Sequence, residues 1–148
     1  MERFGNALLC DAIYQDRITN KMVLAGVYSG SISLSEIPSA FNASLYSEYW
    51  PETIGLKEID VQFLIGGDLI GGAKIALVIG DLSLPAILIV PNFHFAVQAP
   101  GQLVVQAVTS DGRTLSLFSK NVDLKSSTAS PPPSSRSRPA PRTKASKP

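Results

Sequence analysis

One cysteine and one histidine in 148 residues remove several kinds of chemistry at once. The lone Cys10 excludes an intrachain disulfide. With His94 as the sole imidazole, no Cys/His set exists that would hold structural zinc. The N-terminus, Met1-Glu-Arg-Phe-Gly-Asn6, lacks the basic stretch, apolar core and small-residue cleavage site of a signal peptide. The single cysteine and the missing signal-peptide pattern point to a cytoplasmic protein. Long clean apolar runs are missing too. The richest stretch, Ile75 to Val97, is interrupted by Asp81, Pro85, Pro91, Asn92 and His94. A spanning helix needs roughly 18–20 uninterrupted residues, so no membrane partner is expected. No cofactor motif is present either: Gly66 to Gly72 is glycine-rich but lacks the Gly-Lys-Ser/Thr of a phosphate loop.

Acid is absent from the C-terminal end. Residues 1–125 hold twelve acidic and eight basic side chains, a net of −4. Residues 126–148 hold no acid and five basic residues: Arg136, Arg138, Arg142, Lys144 and Lys147. Beyond Leu124 there is no Ile, Leu, Val, Met or aromatic residue. Such a segment has too little apolar surface to offset its ordering entropy. The expected organisation is a folded domain over 1–125 and a disordered basic tail over 126–148.

What the folded part does contain is alternation. The clearest case is Gln102 to Lys120, two β runs around Ser110-Asp111-Gly112. A three-residue loop pairs Ala107 with Leu115, Val105 with Leu117 and Leu103 with Ser119 on one apolar face. Gln106/Ser116 and Val108/Thr114 then lie on the other. Gly112 takes the left-handed position, where a Cβ is costly. Further strands are expected at Ala7–Ile13, Met22–Tyr28, Ser31–Leu34, Ile59–Ile65, Lys74–Ile79, Ala86–Val90 and Phe93–Ala99, with turn residues between them. Phe41 to Trp50 fits a helical i, i+4 face through Phe41, Leu45 and Tyr49, but its aromatic content and its neighbours favour a strand. Many short strands at this spacing predict an all-β fold. The expectation is a single antiparallel β-sandwich, immunoglobulin-like or C2-like.

The N-terminal third carries a pattern: Ala7-Leu-Leu-Cys-Asp-Ala-Ile13, then Lys21, then Leu24-Ala-Gly-Val-Tyr28, then Pro38 in the next connection. It resembles a family of small bacterial β-sandwich proteins of unknown function. The resemblance implies a bacterial origin and a sandwich ending from Pro100-Gly101 to Leu124. It implies no activity and no site. Asn20-Lys21 stands where that family has Gly-Lys. Within the pattern, alternation places Leu8 and Cys10 on one side of the first strand and Ala7, Leu9 and Asp11 on the other.

Candidate sites are few. His94 lies between Phe93 and Phe95 and takes the face opposite to them, which suits a surface or hydrogen-bonded structural histidine better than a triad member. Cys10 beside Asp11 is in the wrong field for a nucleophile, since a neighbouring carboxylate raises a thiol's pKa. It reads as a small buried hydrophobe. Gly66 to Gly72 reads as a mobile hairpin loop. Glu58 and Asp60 share one strand face, suited to a cation or an acid/base pair, though a solvated face is the commoner use. Asn42-Ala43-Ser44 matches a glycosylation acceptor, which means little without a secretion signal.

Tyr46, Tyr49 and Trp50 form the one dense aromatic cluster. On a strand, Tyr46 and Trp50 share the face opposite Leu45. If exposed, that face is a protein-binding anchor; burial under a second layer competes. The tail is a solvated terminus or a weak, salt-sensitive arm for nucleic acid or an acidic partner. The leading expectation is a non-enzymatic cytoplasmic interaction or assembly module, its partner another protein or a second copy. Nucleic-acid or acidic-partner binding through the tail is the alternative. A carboxylate hydrolase built from Asp11, Glu58 and Asp60 is the third.

Overall fold

In the computed structural model, residues 1–126 are described. The expected disorder of the tail, and its residues Arg136, Arg138, Arg142, Lys144 and Lys147, lie outside the described residues. The described residues form nine strands: β1 (Arg3–Gln15), β2 (Met22–Val27), β3 (Ile32–Leu34), β4 (Ser39–Trp50), β5 (Gly55–Ile65), β6 (Asp68–Ile79), β7 (Ala86–Val97), β8 (Gly101–Thr109) and β9 (Thr114–Leu124). Phe41 to Trp50 is strand throughout, with Ala43, Leu45, Ser47 and Tyr49 alternating inward. Period two, not 3.6, governs that segment.

Two sheets stack face to face. One has the order β2-β1-β4-β7 and the other β3-β9-β8-β5-β6. β1-β4-β7 matches the A-B-E order of immunoglobulin domains, and β9-β8-β5-β6 matches G-F-C-C′. Of the two sandwich outlines expected, the immunoglobulin-like one is present, with β2 and β3 inserted after the first strand. One pairing departs from the antiparallel pattern: β3 runs parallel to β9, Ile32 beside Val122. The core is the inward row of each sheet. Leu9, Leu45, Tyr49, Leu88 and Phe95 meet Ile59, Val61, Phe63, Leu103 and Val105 across the gap. Phe63 stacks on Phe93 at 4.3 Å and meets Phe95 edge-on at 5.0 Å.

Bulges correct three of the sequence expectations. The β8–β9 hairpin has the expected loop, with Gly112 at φ 82° and the Thr109 N–H bonded to the Arg113 carbonyl. Val108/Thr114, Ala107/Leu115 and Gln106/Ser116 pair as expected. Then the register shifts, and Val105 faces Phe118 rather than Leu117, while Leu103 faces Lys120 rather than Ser119. The extra residue lets both Leu117 and Phe118 pack against the core.

The second correction is β7, a single strand through Pro91-Asn92 rather than two strands. Its inward residues switch from Leu88 and Val90 to Phe93, Phe95 and Val97. Asn92 sits at φ 49° at the switch, and its N–H is taken by Ser44 Oγ at 2.9 Å. The third is β1, which starts at Arg3 rather than Ala7 and runs through Asn6 at φ 47°, with a register shift between Gly5 and Leu8. Leu9 enters the core, and Cys10 on the opposite side is also fully buried, while Leu8 is half-exposed.

The glycine-rich segment is also more ordered than a loop. Gly66 and Gly67, at φ 60° and 86°, form a two-residue primed turn between Ile65 and Asp68. Gly71 and Gly72 belong to β6. A Cβ at Gly72 would stand 2.6 Å from the Val61 carbonyl oxygen, and one at Gly71 would stand 2.4 Å from the Phe93 ring.

Candidate functional site

The sequence placed its binding candidates on β4, and alternation decides their fates. Tyr49 points inward, is 1 % exposed and packs tilted against Phe4, with ring centroids 5.0 Å apart. It is a core residue, which corrects its place among the candidate binding residues. Tyr46 and Trp50 point outward and are half-buried. The outward face of the first sheet is built in rows. Arg3 lies beside Trp50, with its guanidinium 4.8 Å from the ring centroid. Gly5, Glu48 and Ile87 form the next row, and Leu8, Tyr46 and Ile89 the one after. Then come Val27, Cys10 and Ser44. Leu8, Ile87 and Val27 are each about two-fifths exposed (38, 40 and 42 %). Natural sandwiches that face only water put polar residues in such rows.

One carboxylate organises this face. Glu48 accepts from Asn6 Nδ2 at 2.8 Å, and the Tyr46 hydroxyl lies 3.5 Å from its other oxygen. Burial first, and then Glu48, raise the Tyr46 phenol above its ordinary pKa. The Tyr46 hydroxyl is a hydrogen-bond donor beside the aliphatic Leu8 and Ile89.

A second cluster, missed by sequence reading, sits at one end of the sandwich. Glu2 is 6 % exposed and meets Arg113 Nη2 at 3.0 Å and Lys57 Nζ at 3.4 Å. Arg113 Nε also donates to Asp111 at 2.6 Å, and Lys57 donates to Thr53 at 2.6 Å. Burial, and then Glu2, push the Tyr49 phenol above its ordinary range. These groups line a polar recess of about 200 Å³. Glu2, Lys57, Arg113 and Asp111 are ion-paired there, which ties the N-terminal end to the β8–β9 hairpin, and Glu58 lines the same recess.

The other sequence candidates are spread over both sheets. Glu58 and Asp60 are on the outward face of the second sheet, beside Lys74 and Val108, in a shallow groove of about 370 Å³. Asp11 is on β1, in the first sheet, next to Gly26 and Tyr28. The three carboxylates proposed for a hydrolase do not converge. Among the described residues, no group of three or more His, Cys, Asp or Glu side chains is placed to hold a metal ion. His94 Nδ1 pairs with Asn42 Oδ1 at 2.8 Å on the exposed face, a structural contact. Asn42, the residue of the glycosylation-like triplet, is thereby engaged within the sheet. Burial, then Asp11, raise the Cys10 thiol's pKa, and its Sγ lies 3.5 and 3.6 Å from the Ala12 and Ser44 carbonyls. Among the described residues no helix is long and apolar enough to cross a membrane.

No family model matches the chain, and no curated protein matches it. Among solved structures, the CARDB domain of a Pyrococcus furiosus protein, crystallised in complex with di-metal ions, is similar at 14 % identity and a TM-score of 0.38. That likeness covers 60 % of this chain and 83 % of that one. The fold class rests on the strand order: an all-β, two-sheet, immunoglobulin-like sandwich.

Proposed function

We propose that the chain is a non-enzymatic, cytoplasmic protein-interaction module, and that the outward face of its first sheet is the contact surface. The observation behind this reading is the row Leu8–Tyr46–Ile89, flanked by Ile87, Val27 and the Arg3–Trp50 pair. Aromatic, aliphatic and arginine side chains on a rigid sheet are the composition of interface cores. Tyr46 offers a large contact area and one hydrogen bond at little entropic cost. The separation of Asp11 from Glu58 and Asp60 supports a binding role over a hydrolytic one. The resemblance of Ala7–Tyr28 to small bacterial sandwich proteins belongs to the same proposal and fits a module without chemistry of its own.

The test is affinity capture from a bacterial lysate at high salt, using the wild-type chain and a Tyr46→Ser, Ile89→Ser variant as baits. A specific protein held by the wild type and lost by the variant is the expected result. Equal capture by both baits would move the contact off this face. A third bait ending at Ser126 separates the body from the basic tail, whose contacts fall steeply as salt rises.

A further inference from the structure

Four strands lie at the sheet edges, and three of them carry features that block further pairing. β3 has three residues. β2 has six, with Gly26 at φ 67° against Asp11. β7 has Pro91 and the Asn92 bulge at its middle. Short length, bulges and proline are the usual protections of an edge. β6 has none of them over Gly71–Ile79, where it pairs with Phe63–Gly55 without a register shift. Among the described residues its far side takes no strand partner, and its Gly71 end packs against Phe93 of β7. Lys74 is the one charge in that stretch. Ala73, Ile75 and Leu77 belong to the inward row yet stay half-exposed, and Val78 on the outward face is 84 % exposed.

The sequence of this edge is complementary to itself. Laid antiparallel to its own copy about Ile75, it sets Gly71 opposite Ile79, Gly72 opposite Val78, Ala73 opposite Leu77, and Lys74 opposite Ala76. Small faces large at every pair but the central Ile75–Ile75 contact. The charges agree. On the outward face, Lys74 lies beside Asp60, and Ala76 lies beside Glu58. In the pairing, Lys74 falls between its own Asp60 and, across the small Ala76, Glu58 of the second copy. The two-fold axis makes that arrangement twice. Centring instead on Lys74 would set lysine against lysine.

We propose that the chain forms a two-fold dimer through β6, pairing antiparallel about Ile75 and joining two five-stranded sheets into one of ten strands. The edge supplies the backbone hydrogen bonds, the half-exposed inward row gains cover, and Lys74 with Glu58 sets the register. This surface belongs to the second sheet and does not depend on the role of Tyr46.

Sedimentation velocity of the full chain over a wide concentration range tests it. The wild type should show a reversible monomer–dimer equilibrium. Ala76→Lys sets the new lysine beside Glu58 within one chain but opposite Lys74 in the dimer. It should weaken dimerisation about tenfold or more, through two like-charge contacts. Its thermal unfolding when dilute should match that of the wild type, which separates lost pairing from lost folding. Adding Lys74→Glu to Ala76→Lys places opposite charges across the axis and should restore the dimer. A wild type that stays monomeric at millimolar concentration overturns the proposal. So does an Ala76→Lys variant that dimerises as well as the wild type, or a double variant that stays monomeric.

Discussion

Tyr28 shows how one side chain ties the fold to solution conditions. It is half-buried at the end of β2, packs 6.1 Å from Phe41 and sits close to Asp11. Burial, and then Asp11, push its phenol up to about 12. The unfolded chain ionises this group near pH ~10. Between those values the native state holds a proton that the unfolded state has released. Stability therefore falls as pH rises through the window, and below it the contribution is fully present. Urea midpoints measured from pH 9 to 12 should drop more steeply for the wild type than for Tyr28→Phe. Parallel curves would show that Tyr28 does not carry the effect. The variant should still decline somewhat, because Tyr46 and Tyr49 shift in the same direction. Much at this scale was legible beforehand. Phe93 and Phe95 around His94, and Asp11 beside Cys10, specified their own environments through nearest neighbours. Tyr49 was misplaced among the binding candidates because alternation separates two faces of a strand without saying which one is covered.

At the scale of elements, turn chemistry was readable and bulges were not. Gly66-Gly67 and Gly112 announced their turns because positive φ at those positions selects glycine. The bulges at Asn6 and Asn92 left weaker traces: asparagine at positive φ, and a switch in which alternate residues are apolar. Leu88 and Val90 against Phe93 and Phe95 show that switch, yet Pro91 invites a break in the strand as readily. Gly71 and Gly72 misled for a different reason. They are glycines of close approach, and what approaches them, the Val61 carbonyl of β5 and the Phe93 ring of β7, lies outside the glycine-rich segment. The two classes separate experimentally. Gly66→Asn should cost no more than about 0.5 kcal/mol, since asparagine tolerates the primed turn. Gly72→Ala should cost about 1–3 kcal/mol, because the opposing atom is a backbone carbonyl in a paired strand and cannot swing aside. Denaturant unfolding of the two variants checks this, and similar costs would mean that Gly72 is not held by close approach.

For the whole molecule, the sandwich is closed by contacts no local pattern foreshadows. Glu2 directly precedes β1 of the first sheet, and its partners Lys57 and Arg113 belong to the second sheet and its hairpin, 55 and 111 residues away. In the sequence Glu2 is an acid near the N-terminus with no cation in its neighbourhood beyond Arg3. The same carboxylate, 6 % exposed, faces two cations of unequal exposure: the side chain of Lys57 is 19 % exposed and that of Arg113 42 %. Water screens the arginine pair more than the lysine pair, so Lys57 should carry more of the coupling despite its longer contact. Glu2→Gln keeps the shape and removes the charge, leaving Lys57 partly buried without a counter-charge. That change should cost about 1–3 kcal/mol, below the figure for a fully buried pair because both cations retain some solvent. In a double-mutant cycle with Lys57→Met, the penalty of Glu2→Gln should shrink, since the stranded cation is gone; with Arg113→Met it should shrink less. Urea unfolding of the set measures this directly. Full additivity of Glu2→Gln and Lys57→Met would mean that the end of the sandwich is held by packing around Tyr49 and Phe4 rather than by charge.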